Sequence, residues 1–307
     1  MIKISVVFPS VNQQVEAVAT AMSIRGTAGE EVEIVAVDDC SAATLIFPPH
    51  LNVKVHRNLY RIGSGASRHI GAQIATGDYM VMCDSHCRFT HGWLEHVMAG
   101  IEKFPDSLLC GVCKGFAPTI KPFGNPSGVY YGADLQFIGK DPNHNRMQVL
   151  EAVWAKEQDD GVELSSPMGA CYVSPRERFP VIVGMNHLKT WGVEEQLMAL
   201  KFYLTGSDVR LIKNFVVWHR FRDGEKLPFH NGLQTLLYNK LFLINTIFPE
   251  DMQTRMIAAM PRCSEMNLAQ EDIRKDWRLV ESEKLKNKGM FTRDVAWLQQ
   301  KFNIPMQ

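Results

Sequence analysis

No apolar run in this chain approaches the ~20 residues that a membrane-crossing helix needs, and no span is expected. Nor is there an excess of charge of either sign: 33 basic residues meet 33 acidic ones. Such a balance does not announce nucleic acid or an anionic membrane as partner. Cysteine is too sparse for a disulfide framework. Seven, an odd number, are scattered at 40, 83, 87, 110, 113, 171 and 263, which points to a reducing compartment. Cys83-x3-Cys87 with Cys110-x2-Cys113 also reads as a zinc set, but Cys83 falls in a strand whereas structural zinc pairs sit in turns. The N-terminus runs straight into a strand pattern without the charged, apolar and cleavage segments of a leader, so the cytosol is the expected compartment. Nothing repeats at a fixed period, against a solenoid. The Gly63-Ser64-Gly65 turn lacks both the Lys-Ser/Thr of a P-loop and the spacing of a dinucleotide fingerprint.

What is present is an alternation of short apolar strands and helical stretches, in a chain of 307 residues that can hold one α/β domain with an appendage. Residues 2–8 read as a first buried strand that Pro9 stops, with a helix over 12–22. Strands follow at 33–37 and 53–56, then a helix over 66–75 that carries Arg68. Tyr79–Cys83, five mostly apolar residues, read as a buried central strand. A helix over 92–104 buries Trp93, Leu94, Val97 and Ile101, and a strand covers 108–112. Residues 117–160, rich in Gly, Pro, Asn and aromatics, read as surface loops. Residues 165–173 return to a strand, 191–205 to a helix, and 209–212 and 215–218 to two further strands. From Pro228 onward the pattern is helical, notably at 230–248 and at the charged stretch 265–285.

Polar residues gather at the ends of these elements. Asp84-Ser85-His86 follows the central strand, where open α/β sheets bind ligands. An acid and an imidazole two residues apart on an extended chain can ligate one metal ion from the same side; the triplet equally suits a plain polar strand end. Asp38-Asp39 ends the second strand, either facing a ligand or bonding its own turn. Arg61 and Arg68 flank a helix N-terminus, suited to an anion or simply solvated. Gly169-Ala170 leaves the backbone bare. Glu194 and Glu195 open a helix, where acids also serve its dipole.

Taken together, Asp38-Asp39, Asp84-x-His86, Trp191-Gly192-x-Glu194 and His219-x-Phe221-Arg222 resemble the GT-A glycosyltransferases. More narrowly, their order and spacing, with Arg61, Arg68 and Gly71, resemble the catalytic domain of polypeptide N-acetylgalactosaminyltransferases, with relatedness to family 2 synthases. The resemblance implies a Rossmann-like, mixed but mainly parallel sheet flanked by helices over 1–227, followed by a C-terminal α-helical appendage at 228–307. It implies that Asp84, His86 and His219 hold Mn2+ against the diphosphate of a UDP-sugar. Asp38 or Asp39 would receive the uracil or ribose, Ser85 the ribose, and Arg61 and Arg68 the nucleotide side. Pro9 and Glu195 complete the donor pocket, Gly169 and Ala170 lie beside the sugar, and Trp191 and Glu194 contact it. Arg222 would neutralise the departing diphosphate, so that Asp84, Glu194 and Arg222 form the catalytic set of a transferase that retains anomeric configuration.

The chain departs from that pattern at Val11, where the family has His, at Ala170 for Gly, and at Glu195 for Asn. Asp223–Leu227 also lacks the family's His and Tyr. These positions touch the uridine and sugar pockets and the closing loop, and leave the sugar open. The expected acceptor is a hydroxyl of a macromolecule in a bacterial or phage-infected cell. It is either protein Ser/Thr or a hydroxymethylated pyrimidine of phage DNA, with Lys114, Lys121, Lys140 and Arg146 available for phosphate contacts. Lipid-linked or polysaccharide acceptors, and a non-catalytic sugar-nucleotide-binding module, are the alternatives.

Overall fold

The computed structural model describes residues 2–116, 128–140, 147–221, 228–229 and 232–306. The chain opens with β1 (Ile4–Ser10), α1 (Gln14–Ala28), β2 (Val32–Asp38), β3 (Val53–Arg57), α2 (Ser64–Ile74) and β4 (Tyr79–Cys83). The next elements are β5 (Cys87–Phe89), α3 (Trp93–Lys103), β6 (Leu108–Gly115) and β7 (Val129–Tyr130). Then come β8 (Ala133–Lys140), β9 (Met147–Trp154), β10 (Cys171–Pro175), α4 (Glu194–Leu204) and β11 (Val209–His219). Among the described residues the main sheet runs β3-β2-β1-β4-β10-β6-β11-β5, with β7 on β6. β1 to β4 pair in parallel, β10 lies antiparallel between β4 and β6, and β11 pairs parallel to β6 and antiparallel to β5.

Strand side chains alternate between two apolar layers, as a pleat requires. Val7, Met80 and Met82 join one cluster with residues of α2 and α4, while Val6, Val81 and Cys83 join another with α1 and α3. Burial on both faces is why these strands are nearly continuous apolar runs.

Three expectations change. Pro9 does not stop β1: it pairs with Val37, and the strand continues to Ser10. β4 leaves β1 at the Val7–Met82 pair, so one side of β1 carries no partner at Pro9 and the missing N–H removes no bond there. Residues 117–160 are not only loops, because β8 and β9 form an antiparallel pair that buries Leu135, Phe137 and Val149. The two strands expected over 209–218 are one, β11, with a register shift between Ile212 and Val216 that β6 spans.

The C-terminal part is helical as expected: α5 (Leu233–Ile247), α6 (Glu250–Ala259), α7 (Ser264–Lys275), α8 (Trp277–Met290) and α9 (Val295–Phe302). The stretch 265–285 divides at Asp276, which accepts hydrogen bonds from Lys189 Nζ at 3.0 Å and the Tyr238 hydroxyl at 2.8 Å. The apolar cluster under α2 and α4 continues into Leu241, Ile273, Val280 and Leu298 of these helices. A polar bolt crosses the same junction. The buried Lys201 ammonium of α4 donates to Glu283 Oε1 of α8 at 2.7 Å and to Asn287 Oδ1.

Removing one partner of a buried pair strands the other charge. Glu283→Ala is therefore expected to lower the free energy of urea unfolding by about 3–5 kcal/mol. A loss within the ordinary surface range of about 0.5 kcal/mol would mean that Lys201 finds water on its own.

Candidate active site

The chain passes from β1 to β2 and β3 on one side and returns through β4 on the other, so the strand order reverses at β1. Ligands of open sheets bind in the crevice outside the strand ends at such a switch point. A cleft of about 540 Å³ opens there, within the range of small-molecule sites.

The two acids ending β2 have separate tasks. Asp38 accepts from the Ser41 N–H at 2.9 Å, the Leu45 N–H at 3.2 Å and Arg57. Burial would push its carboxyl up, but these hydrogen bonds outweigh burial and hold it below its ordinary value. Both oxygens are committed to the turn, and Asp38 is not part of the cleft wall. Of the two candidates for a ligand contact, only Asp39 lines the cleft. It accepts from Asn58 Nδ2 at 2.9 Å and from the Ile62 and Gly63 N–H groups at 2.8 and 2.9 Å, fixing the loop that carries Arg61 at the cleft edge.

Asp84 follows β4 directly and meets two imidazoles. Its Oδ2 lies 3.1 Å from His219 Nε2 and 3.8 Å from His86 Nε2, and the two rings are 4.7 Å apart between centroids. Sheet pairing brings the distant histidine here: His219 stands opposite Cys87, and the Arg220 N–H donates to the His86 carbonyl at 3.1 Å. Ligand atoms of Asp84, His86 and His219 all lie within 4.8 Å of one another, a grouping that can hold a metal ion. Burial would raise the Asp84 carboxyl, but the His219 hydrogen bond and the charges of Arg68 and His86 hold it well below the usual range.

Arg68 of α2 is buried and donates to Asp84 Oδ1. Its other terminal nitrogen lies 3.7 Å from Glu194 Oε1. Burial works against the guanidinium charge, yet the surrounding groups, Asp84 and Glu194 among them, raise its proton affinity above normal. Glu194 also accepts from the Ser64 hydroxyl and from the Gly192 N–H at 2.7 Å. The turn before α4 is strained: Thr190 and Val193 have φ of 54° and 67°, and Gly192 has 108°. Left-handed β-branched residues are outliers that surrounding contacts must enforce. Here the Ser64 N–H donates to the Thr190 carbonyl at 2.7 Å, and the Asn239 side chain of α5 donates to the Lys189 and Gly192 carbonyls at 2.8 and 3.3 Å.

Glu195 behaves differently from Glu194. Its carboxylate lies over Gly169, where any Cβ would collide with it. Burial, together with the adjacent Glu194 charge, pushes it up to about 7. Pro9, Ser85, Ala170 and Trp191 complete the expected set around the same cleft. Arg222 lies outside the described residues, as do Lys121 and Arg146. Lys114 sits 5.8 Å from the centre of the Trp218 ring, and neither Lys114 nor Lys140 lines the cleft. The four thiols considered for zinc are buried in the core, and burial pushes each up, Cys110 to about 12.

The cleft also has a wall that the sequence reading did not assign: Glu151 and Trp154 of β9, Phe221 after β11, and Leu236 and Lys240 of α5. The mostly apolar runs Leu135–Ile138 and Val149–Trp154 were the available sign of the hairpin.

Residues 5–153 match glycosyl transferase family 2. Polypeptide N-acetylgalactosaminyltransferase 3 of Drosophila melanogaster is 24% identical over 235 residues, covering 72% of this chain and 35% of its own length. The chain thus spans about a third of that relative. The crystal structure of GalNAc-T7 with UDP, GalNAc and Mn2+ superposes with a TM-score of 0.74 at 19% identity, over 99% of this chain and 57% of that one. The structure of S. aureus TarS 1-349 in complex with UDP-GlcNAc matches with a TM-score of 0.55 at 15% identity, over 95% of this chain and 93% of that one. The fold is that of the GT-A glycosyltransferases, as the sequence led one to expect, and no helix among the described residues is long and apolar enough to cross a membrane.

A carboxyl raised in the folded state holds its proton more tightly there than in the unfolded chain, so stability falls as pH rises from its ordinary value to the raised one. For Glu195 that window runs from the usual glutamate range up to about 7. In metal-free buffer, Glu195→Gln is expected to melt above the parent at pH 8 and to converge with it near pH 4. A difference in melting temperature that stays flat across that range would remove the assignment.

Proposed function

We propose that this chain, a GT-A-fold relative of the polypeptide N-acetylgalactosaminyltransferases, is a divalent-metal-dependent glycosyltransferase that moves a sugar from a UDP-sugar to an acceptor hydroxyl. The observation that carries the reading is the meeting of Asp84, His86 and His219, from two distant strands, at the mouth of the sheet's switch point. One carboxylate and two imidazoles are a mixed oxygen and nitrogen set that fits Mn2+. Bound there, such an ion supplies charge neutralisation for the diphosphate as it leaves the anomeric carbon.

The rest of the work falls to side chains that hold position. Arg68 fixes the Asp84 carboxylate so that it need not reorganise when charge develops, which is how a preorganised site lowers a barrier. Asp39 sets the loop that presents Arg61 to the nucleotide side, and Ser85 lies near the ribose. Glu194, locked by Arg68, Ser64 and Gly192, shapes the sugar pocket, while Glu195 over the bare Gly169 accepts from a sugar hydroxyl. Trp191, about half exposed, offers its ring at the rim. Arg222 keeps its assigned role at the leaving diphosphate. Retention of anomeric configuration belongs to the same reading, with the acceptor approaching from the face that the diphosphate leaves. The cysteines are all free thiols, in keeping with work in a reducing cytoplasm.

Calorimetric titration of UDP is expected to show binding in Mn2+ that EDTA abolishes. His219→Ala should weaken that binding by at least the roughly 10- to 100-fold that loss of a supporting residue alone costs. Unchanged Mn2+-dependent affinity in this variant would overturn the three-ligand assignment.

A further inference from the structure

Away from the cleft, four elements converge on a group of titratable side chains. His69 comes from α2, His187 from the single turn Met185–His187, Lys201 from α4, and Glu283 and Lys286 from α8. None of the five borders the cleft. A Cβ on Gly65, one turn before His69 on α2, would stand 3.3 Å from the Met185 carbonyl, so this face of α2 looks onto the turn that carries His187.

One carboxylate answers the whole group. Glu283 Oε1 accepts from Lys201 Nζ at 2.7 Å, while Oε2 lies 3.8 Å from His187 Nε2 and 3.9 Å from Lys286 Nζ. Two ammonium groups already exceed its charge and leave none to balance an imidazolium. The Lys201 and Glu283 side chains are almost fully buried, so water screens the excess little. The other neighbours add no charge. Phe242 of α5 meets the His187 ring at 5.7 Å between centroids, β1 and β2 meet α2 through Val7 and Val37, and the turn Phe179–Val183 is apolar throughout.

Hydrogen bonding favours neutral rings as well. His69 Nδ1 is buried and has no partner among the described residues. A protonated imidazole donates from both nitrogens, and a charged donor left unpaired costs more than a neutral acceptor. The Asn186 amide nitrogen lies 3.4 Å from the His187 ring and can donate only to an unprotonated ring nitrogen. Burial lowers the proton affinity of His69, helped by His187 and Lys286; at His187, burial with Lys286 and Lys201 outweighs the opposing Glu283 charge.

We propose that His69 and His187 are a proton-operated latch between α2 and α8: neutral, they let the junction close around Glu283, and protonated in mild acid they release α8. The release has a route toward the cleft. Asn287, one turn after Glu283, donates to the Thr246 carbonyl of α5 at 3.0 Å, and α5 holds the turn before α4 through Asn239. A released α8 returns both imidazoles to the ordinary value near 6.5, whereas the closed junction holds them below it. Closure is therefore complete well above that value and weakens as pH falls through it, by up to about tenfold per imidazole one unit below.

The full chain is tested without metal or donor, so that ligand binding at His86 and His219 does not enter. Hydrogen exchange read by mass spectrometry, expressed as protection factors, is followed from pH 7.5 to 5.5. Protection of α8, and with it α5, is expected to fall about tenfold relative to β1–β4. Replacing both rings, His69→Gln with His187→Gln, is expected to make that protection independent of pH. In NMR titrations, with each imidazole assigned by the signal its single variant loses, both are expected to titrate below 6.5. Each is also expected to titrate at higher pH once the other is Gln. Three results would overturn the latch: protection of α8 that stays flat in the parent, a double variant that loses protection as the parent does, or imidazoles that titrate at or above 6.5. Should the double variant fail to fold, the parent's exchange and titration decide alone.

Discussion

One guanidinium ties the cleft together. Arg68, buried on α2, reaches the carboxylate that ends β4 and the carboxylate that begins α4, so strand, helix and turn are referred to a single charge. Without it, two acids would stand in a poorly hydrated site with no counter-charge, an arrangement that costs several kcal/mol in real proteins. With it, Asp84 stays ionised and can in turn orient His219. Glu194 pins the turn by accepting from the Gly192 N–H. At the neighbouring Glu195, burial and the adjacent Glu194 charge raise the proton affinity, and the Arg68 charge offsets them only in part.

The mixed sheet explains how residues so far apart in sequence share a cleft. A purely parallel doubly wound sheet would place each strand end at the same edge but leave the far side of β4 open. Here β10 runs antiparallel along β4, and the residues entering it, Gly169 and Ala170, therefore arrive at the carboxyl end of β4. β11 extends past β6 to pair with the short β5, which follows directly on the Asp84–His86 segment. That pairing register, more than any contact between the side chains, decides that the two imidazoles are neighbours.

Much of this was legible in the chain itself. Tyr79–Cys83 announced a central strand because both of its faces are buried, and the polar triplet after it could only lie at the strand end. The order of Arg61, Arg68, Asp84, Glu194 and His219 carried the fold, because the lengths of the elements between them set their spacing. Asp38 was ambiguous for a physical reason: an acid at a strand end can face either a ligand or its own turn, and only the positions of the Ser41 and Leu45 N–H groups decide. The β8–β9 hairpin was obscured because its short apolar runs lie within a stretch rich in Gly, Pro and Asn. Glu151 and Lys240 could not have been paired from sequence, since nothing in a local pattern relates a mid-strand acid to a basic residue in an apolar helix.

The turn from Thr190 to Val193 bears on how the molecule is made. Its left-handed residues each hold a conformation worth about 1–3 kcal/mol of strain, and two of the hydrogen bonds that enforce it come from Asn239 on α5. During synthesis from the N-terminus, that helix leaves the ribosome after the whole sheet has done so. A nascent chain can therefore complete its strands while the segment that aims Glu194 and Glu195 is still free to relax. The cleft is finished last, and from the C-terminal side, so a chain cut short before α5 would retain much of its sheet yet lack a set turn before α4.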